Sequence, residues 1–338
     1  MERWLNGDEP SAYRPDGLAD AVRAAAHLRF GLACDPSTTA YRLVHGAADL
    51  VPGVTVDRYE DHLVVALTGE AVQHREQILD GLDQFGPAGI YLKLPSKQAS
   101  RIVDPRRDEL APSAAVRGAP APASLTIRER GLEFEVRLGD GLSTGIFLDQ
   151  RDNRNRLRRM ASGVRVLNLF AYTGAFTVAA IAGGARSTVT VDASRRALAR
   201  AKHAIASTGA DELDHRLECA DALSWLRQCA KRGEQFDVAV LDPPSFATTK
   251  RTRFRATHDY RAVAAATLRC LAPGGRLLAC TNHRGMSTTE LRRVVVAAAD
   301  DAERGLGKLE AFPPPIDFPT DPERGPHLKT LLAEVGDR

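Results

Sequence analysis

Residues 164–192 read VRVLNLFAYTGAFTVAAIAGGARSTVTVD, and the reading of this stretch decides the fold. VRVLNLF is a short apolar run of the kind that forms a buried strand. It ends in a Thr-Gly turn and passes into AFTVAAIA, which is apolar all round a helix. After Gly183 and Gly184 a second β-branched run, STVTVD, begins. Two strand-like runs joined by a helix predict a βαβ unit, because parallel neighbours need a crossover of about this length. The rhythm continues on both sides. QRDNRNRLRRMA (150–161) precedes it as a helix. RRALARAKHAIAST (195–208), ALSWLRQCAKRG (222–233) and DYRAVAAATLRCLAPG (259–274) follow as helices, alternating with the strands RLECAD (216–221), FDVAVLDPP (236–244) and GRLLACTN (275–282). The class is therefore α/β with a parallel, doubly wound sheet, and ligands are expected at the carboxyl ends of the strands.

Towards the N-terminus the texture changes. GLADAVRAAAHLRF (17–30) reads as a helix behind Pro15 and Asp16. YRLVHG (41–46), GVTVDRY (53–59), HLVVAL (62–67) and IYLKL (90–94) read as strands, with a helix over AVQHREQILDGLDQF (71–85). PSAAVRGAPAPAS (112–124) has linker composition, and SLTIRERGLEFEVRL (124–138) alternates across a Gly turn as a hairpin. The expected division is a helical extension over 1–40, a small α/β domain over 41–138, and the doubly wound domain over 139–338.

The bulk properties narrow the classes. The chain has 338 residues, 43% hydrophobic and 26% charged, with a net charge of +3, ordinary for a globular protein and compatible with a nucleic-acid partner without requiring one. Cys34, Cys219, Cys229, Cys270 and Cys280 lack disulfide-framework or zinc spacing. Cys219, Cys270 and Cys280 are expected in the core. With no apolar h-region at the start and no long apolar run, the expectation is a cytoplasmic protein without a membrane span.

Five places carry candidate chemistry. Asn168, Phe170, Ala171, Tyr172, Thr173 and Gly174 form a strand end, turn and helix start, where Gly174 admits a close backbone approach and unpaired helix N–H groups suit a carboxylate. The absence of GxGxxG weighs against a dinucleotide. Asp192, 18 positions after Gly174 and followed by Ala193 and Ser194, suits the two hydroxyls of a ribose; capping the next helix is the plainer role. Asp221, followed by Ala222, can accept from an adenine amino group or act as an N-cap. Asp242-Pro243-Pro244-Ser245-Phe246 closes a strand with two residues lacking N–H donors, leaving acceptors for a base edge and Phe246 to stack on it. Thr281-Asn282-His283-Arg284-Gly285 follows the last strand; Asn282 can donate and accept at once, and His283 is a general-base candidate. The arginines of 151–159 and the run Lys250, Arg251, Arg253, Arg255 are solvated faces or phosphate contacts.

Taken together, these residues resemble the bacterial 23S ribosomal RNA methyltransferases that include cytosine-C5 and guanine-N7 enzymes. The likeness runs from about Tyr41 to the end. It rests on YRLVHGAADLVPGVTVDRY (41–59), STGIFLDQR (143–151), VLNLFAYTGAF (166–176), VDAS (191–194) and DPPSF (242–246). The resemblance implies a Rossmann-like class I methyltransferase domain beside a smaller N-terminal α/β domain that grips RNA. S-adenosylmethionine is the implied cofactor and ribosomal RNA the implied partner. It assigns Phe147, Gln150, Arg151, Asp192, Asp221 and Asp242, with the Asn168–Gly174 turn, to the cofactor. On the reading of the residues, Pro244, Ser245, Phe246, Lys250, Arg251, Asn282, His283 and Arg284 fall to the substrate side, and Asp242, Pro243 and Asn282 to catalysis, without a metal.

Two departures direct the choice of branch. The cytosine enzymes carry an N-terminal PUA-type domain, for which the roughly forty residues before Tyr41 are too few. They also place a nucleophilic Cys where Asn282 falls here. TNHRG (281–285) and GARSTVTVDAS (184–194) resemble the guanine-N7 branch instead. Carbon-5 of cytosine needs covalent activation by a thiolate, whereas guanine N7 has its own lone pair and needs only placement. The expectation is methylation of a guanine ring nitrogen. The alternatives are cytosine C5 through Cys280, a non-catalytic RNA-binding or assembly factor, and a small-molecule methyltransferase.

Overall fold

The computed structural model describes residues 17–95, 109–211, 214–248, 253–321 and 323–336. The chain divides into two compact units, Met1–Asp149 with Pro315–Glu323, and Gln150–Pro314 with Arg324–Arg338.

In the first unit, α1 (Leu18–Leu28) buries Leu18, Val22 and Ala25, one stripe at helical spacing, and a single turn, α2 (Phe30–Ala33), follows. A five-stranded sheet has the order β1 (Ala40–His45), β2 (Val54–Tyr59), β3 (His62–Leu67), β4 (Gly89–Lys93) and β5 (Arg117–Gly118). Its pairs are antiparallel except β3 with β4. That pair needs a crossover, which α3 (Arg75–Asp83) supplies by burying Ile78, Leu79 and Leu82. The stretch read as a linker thus contains a strand. Gly89 and Gly118 make the pairing possible: a Cβ on Gly89 would stand 2.0 Å from the Ala119 carbonyl oxygen, and one on Gly118 2.4 Å from that of Ala88. The expected hairpin is β6 (Leu125–Glu129) with β7 (Leu132–Val136).

A buried ionic network draws a distant segment into this unit. Arg29 donates to both carboxylate oxygens of Asp49, at 2.8 and 2.6 Å, and to the main-chain oxygen of Asp317 at 3.1 Å. The Asp317 carboxylate accepts from the Arg42 N–H at 2.9 Å, and Phe318 lies under the Arg42 guanidinium.

The second unit holds a seven-stranded sheet in the order β10 (His215–Cys219), β9 (Ser187–Asp192), β8 (Arg165–Leu169), β11 (Phe236–Leu241), β14 (Leu271–Thr281), β16 (Lys329–Val335), β15 (Leu306–Phe312). The first five are parallel, as read from the sequence. The last two, not foreseen, are antiparallel. The connecting helices are α5 (Ala175–Ala182), α6 (Arg195–Ala206), α7 (Ala222–Lys231), α8 (Ala256–Arg269) and α9 (Thr288–Asp301), with α4 (Arg151–Met160) ahead of β8. A further hairpin, β12 (Phe246–Thr248) with β13 (Arg253–Arg255), follows β11. Strand alternation feeds two cores. Leu167, Leu169, Ala239, Leu241, Leu277 and Ala279 belong to one, Val166, Val238, Val240, Leu278 and Cys280 to the other. The chain runs outward from β8 through β9 to β10, then returns to β11 on the other flank. The strand order therefore reverses between β8 and β11, which is where a doubly wound sheet opens a crevice.

Two expectations are corrected. Cys219 is exposed, because it ends β10, an edge strand of the sheet. Arg151 and Arg154 on α4 are buried, not solvated, and Arg156 stacks its guanidinium 4.0 Å from the Phe312 ring centroid, so α4 is no simple charged face. Lys250 and Arg251 lie outside the described residues.

Candidate functional site

The carboxyl ends of β8, β9, β10, β11 and β14 are aligned by the parallel register, which pairs Leu169 with Val191 and Leu241, Cys219 with Asp192, and Leu241 with Ala279. The sheet therefore brings Asn168, Asp192, Asp221, Asp242 and Asn282 to one edge of the second unit.

The turn after β8 is tightly wound. Phe170, Tyr172 and Gly174 all have left-handed backbone, with φ of 55°, 51° and 80°. For Phe and Tyr this costs on the order of 1–2 kcal/mol each, so neighbouring contacts must impose it. Asp192 is one of them: its carboxylate accepts from the Tyr172 N–H at 2.8 Å and the Ser194 N–H at 2.8 Å. Burial pushes the Asp192 carboxyl above its ordinary range, while the main-chain donors of Ser194, Tyr172 and Ala193 oppose that shift. Capping of α6 falls to Ser194, whose hydroxyl accepts from Ala197 N, so Asp192 ties two loops together. Asp221 does take the N-cap role, accepting from Ser224 N at 3.0 Å ahead of Ala222.

Gly174 also has a packing role that its sequence reading did not include. A Cβ there would lie 2.9 Å from the Cβ of Ala201 on α6. The close approach that glycine permits is between two helices, in addition to the turn's positive φ.

The residues fit S-adenosylmethionine. Asn168 is buried; its Nδ2 donates to Thr177 Oγ1 at 3.0 Å, and its Oδ1 has no hydrogen-bond partner. An orphaned acceptor in such a place is costly unless a ligand engages it. No side chain caps α5, so its first N–H groups suit the cofactor's carboxylate. Asp192 is an acidic group at the end of the next strand, of the kind that would accept from ribose hydroxyls. Gln150, buried, donates to Asp242 Oδ2 at 2.7 Å, and Arg151 begins α4 beside it. Phe147 belongs to the first unit, half-exposed. Among the described residues no group of three or more metal-binding side chains occurs, and no helix is long and apolar enough to cross a membrane.

The acceptor side is assembled from the ends of β11 and β14. Pro243 is buried and Pro244 exposed. Ser245 Oγ donates to Asn282 Oδ1 at 3.0 Å, joining the two strand ends. Phe246 begins β12, and its side chain lies outside the described residues. The Nδ1 of His283 accepts from Gly285 N at 3.0 Å, which engages the lone pair a general base would use and argues against that role. Arg284 is exposed. Sequence reading missed Lys329, a buried lysine that donates to the main-chain oxygens of His283 and His327 at 2.9 and 3.1 Å; burial lowers its pKa. Its place beside the loop is set by the β14–β16 pairing of Thr281 with Lys329, which no local pattern announces.

The sheet order and this edge define a nucleotide-type binding fold. Residues 41–333 match the family model of S-adenosylmethionine-dependent methyltransferases, and the chain belongs to that family. It is 38% identical over 304 residues to ribosomal RNA large subunit methyltransferase I of Tolumonas auensis, covering 88% of this chain and 75% of that protein. It is 35% identical over 335 residues to the protein of the same name from Shewanella amazonensis, covering 97% and 83%. Among solved structures, that of SMU.776, assigned as a methyltransferase and crystallised with SAH, superposes with a TM-score of 0.85 at 29% identity, over 96% of this chain and 82% of that one. The protein is thus an S-adenosylmethionine-dependent methyltransferase with a Rossmann-like fold.

Proposed function

We propose that the chain methylates a base of large-subunit ribosomal RNA, and that the acceptor atom is N7 of guanine. The names of its relatives support the ribosomal substrate. One observation carries the choice of atom. Cys280 on β14 is fully buried between Asn153 and Thr330, while Asn282, which the resemblance aligns with the nucleophilic Cys of the cytosine enzymes, is bonded to Ser245.

When bound, S-adenosylmethionine supplies an electrophilic methyl group on sulfur. The chain's task is then placement. Asn168, Phe170, Ala171, Tyr172, Thr173, Gly174, Asp192, Ala193, Ser194, Asp221 and Ala222 hold the cofactor, with Phe147, Gln150 and Arg151. Asp242, the Pro243 carbonyl and Asn282 face the base, and Pro244, Ser245, Phe246, Lys250, Arg251, His283 and Arg284 shape its surroundings. A guanine methylated at N7 gains positive charge, which carboxylate and carbonyl oxygens tolerate. No proton must leave and no covalent enzyme intermediate is needed. The small domain over 41–138 would grip RNA.

Mass spectrometry of ribosomal RNA from a strain lacking the protein tests this: 7-methylguanosine should disappear. Loss of 5-methylcytidine, or loss of transfer in Cys280→Ala with cofactor binding intact, would overturn the choice of atom.

A further inference from the structure

We infer that Asn153 and Arg156 on α4 are positioning residues that fix the orientation and ionisation of Asp242, acting through Gln150. The inference rests on the reading of Asp242 as an acceptor-side group. Arg156 Nη1 donates to Asn153 Oδ1 at 2.8 Å. Asn153 Nδ2 donates to Gln150 Oε1 at 2.6 Å and to Thr330 Oγ1 at 2.8 Å. Gln150 Nε2 donates to Asp242 Oδ2 at 2.7 Å.

The sense of this chain follows from its ends. A guanidinium can only donate, so Asn153 must turn its oxygen to Arg156 and its NH2 to Gln150. Gln150 must then present its oxygen to Asn153, which leaves its NH2 for Asp242. An ionised carboxylate can only accept, so the far end demands the same sense. Asn153 and Gln150 are both buried, so water does not readily substitute for either partner. Arg156 is itself held over Phe312. A carboxylate held by such a donor stays ionised and keeps its orientation. Tyr260 of α8 and Cys280 of β14 are titratable groups that interact with this place. Burial, then the charges at Cys280 and Asp242, pushes the Tyr260 phenol well above its ordinary range.

Asn153→Asp, nearly isosteric, replaces the donor with an acceptor. Gln150 must then turn its NH2 inward and set its oxygen against Asp242, favouring the protonated carboxyl. Asn153→Leu removes the constraint without adding charge. The full-length protein, labelled with 13C at aspartate carboxyls, is titrated by NMR, the Asp242 signal being the one lost in Asp242→Asn. Asp242 should titrate higher in both variants, by about one unit or more in Asn153→Asp. A wild-type midpoint in Asn153→Leu overturns the inference, whatever Asn153→Asp does, since charge alone would explain the latter. Should neither fold, the half-buried Arg156→Met, which has no donor, is titrated instead, and an unchanged midpoint there overturns it equally. Methyl transfer to ribosomal RNA from a strain lacking the protein separates the two layers. The acid limb of kcat/KM should move up with the carboxyl. A shifted signal with an unmoved limb would refute the catalytic reading of Asp242 and uphold its orientation by Asn153.

Discussion

Gly174→Ala tests whether the first turn of the cofactor site is held by helix packing. Two costs add. Alanine at φ 80° is penalised by roughly 1–2 kcal/mol. Its methyl group would also sit 2.9 Å from Ala201 Cβ and 3.3 Å from Ala201 Cα, an overpacking worth about 1–3 kcal/mol. The expected loss is thus about 2–5 kcal/mol of unfolding free energy, read from urea denaturation, with weaker SAH binding in calorimetry because α5 must shift. Ala201→Gly alone costs about 1 kcal/mol as a helix-interior glycine, yet in the double variant it removes the closest contact, the Cβ of Ala201, and leaves the φ strain with the glycine's own cost. The two changes should therefore be less destabilising together than their sum, by about 1–3 kcal/mol. Strict additivity would refute the helix-packing account.

Other outcomes follow from buried groups. Asp49→Ala strands the buried Arg29 charge and should cost about 3–5 kcal/mol in denaturant unfolding; a loss under about 1 kcal/mol would mean the pair is not structural. Lys93 is buried against the Leu138 carbonyl at 2.7 Å, and burial pushes its pKa down to about 8 from 10.5. Between those values the unfolded chain holds more protons, so wild-type stability should rise with pH across that window. Lys93→Met should be the more stable protein below pH 8, by about 1–2 kcal/mol, and should lose that advantage as pH nears 10.5; parallel pH profiles would refute this. Asp192→Asn should weaken SAH binding in calorimetry by about 10-fold or more, as a charged acceptor is lost, and unchanged affinity would remove Asp192 from the cofactor site.

The sequence by itself determined most of the second unit. Period and composition are local properties, so the βαβ alternation from Val164 to Asn282 was legible, and with it the strand ends where Asn168, Asp192, Asp221, Asp242 and Asn282 lie. The motifs VLNLFAYTGAF and DPPSF carried the class of chemistry because a ligand at a strand end needs particular residues at particular spacings. What only the tertiary structure decided depends on partners far apart in the chain. β5 became a strand because Gly118 meets Gly89. Residues 315–323 joined the first unit through Asp317 to Arg29 and Arg42. The space beside Gly174 is filled by a helix. Asn153 sits in an arginine-rich run whose composition resembles a solvated face, and an amide's role is set by which end meets a donor. Arg156, three residues away, supplies that answer, and the polarity it sets reaches Asp242 through Gln150, across 92 residues of sequence, only once the fold has closed.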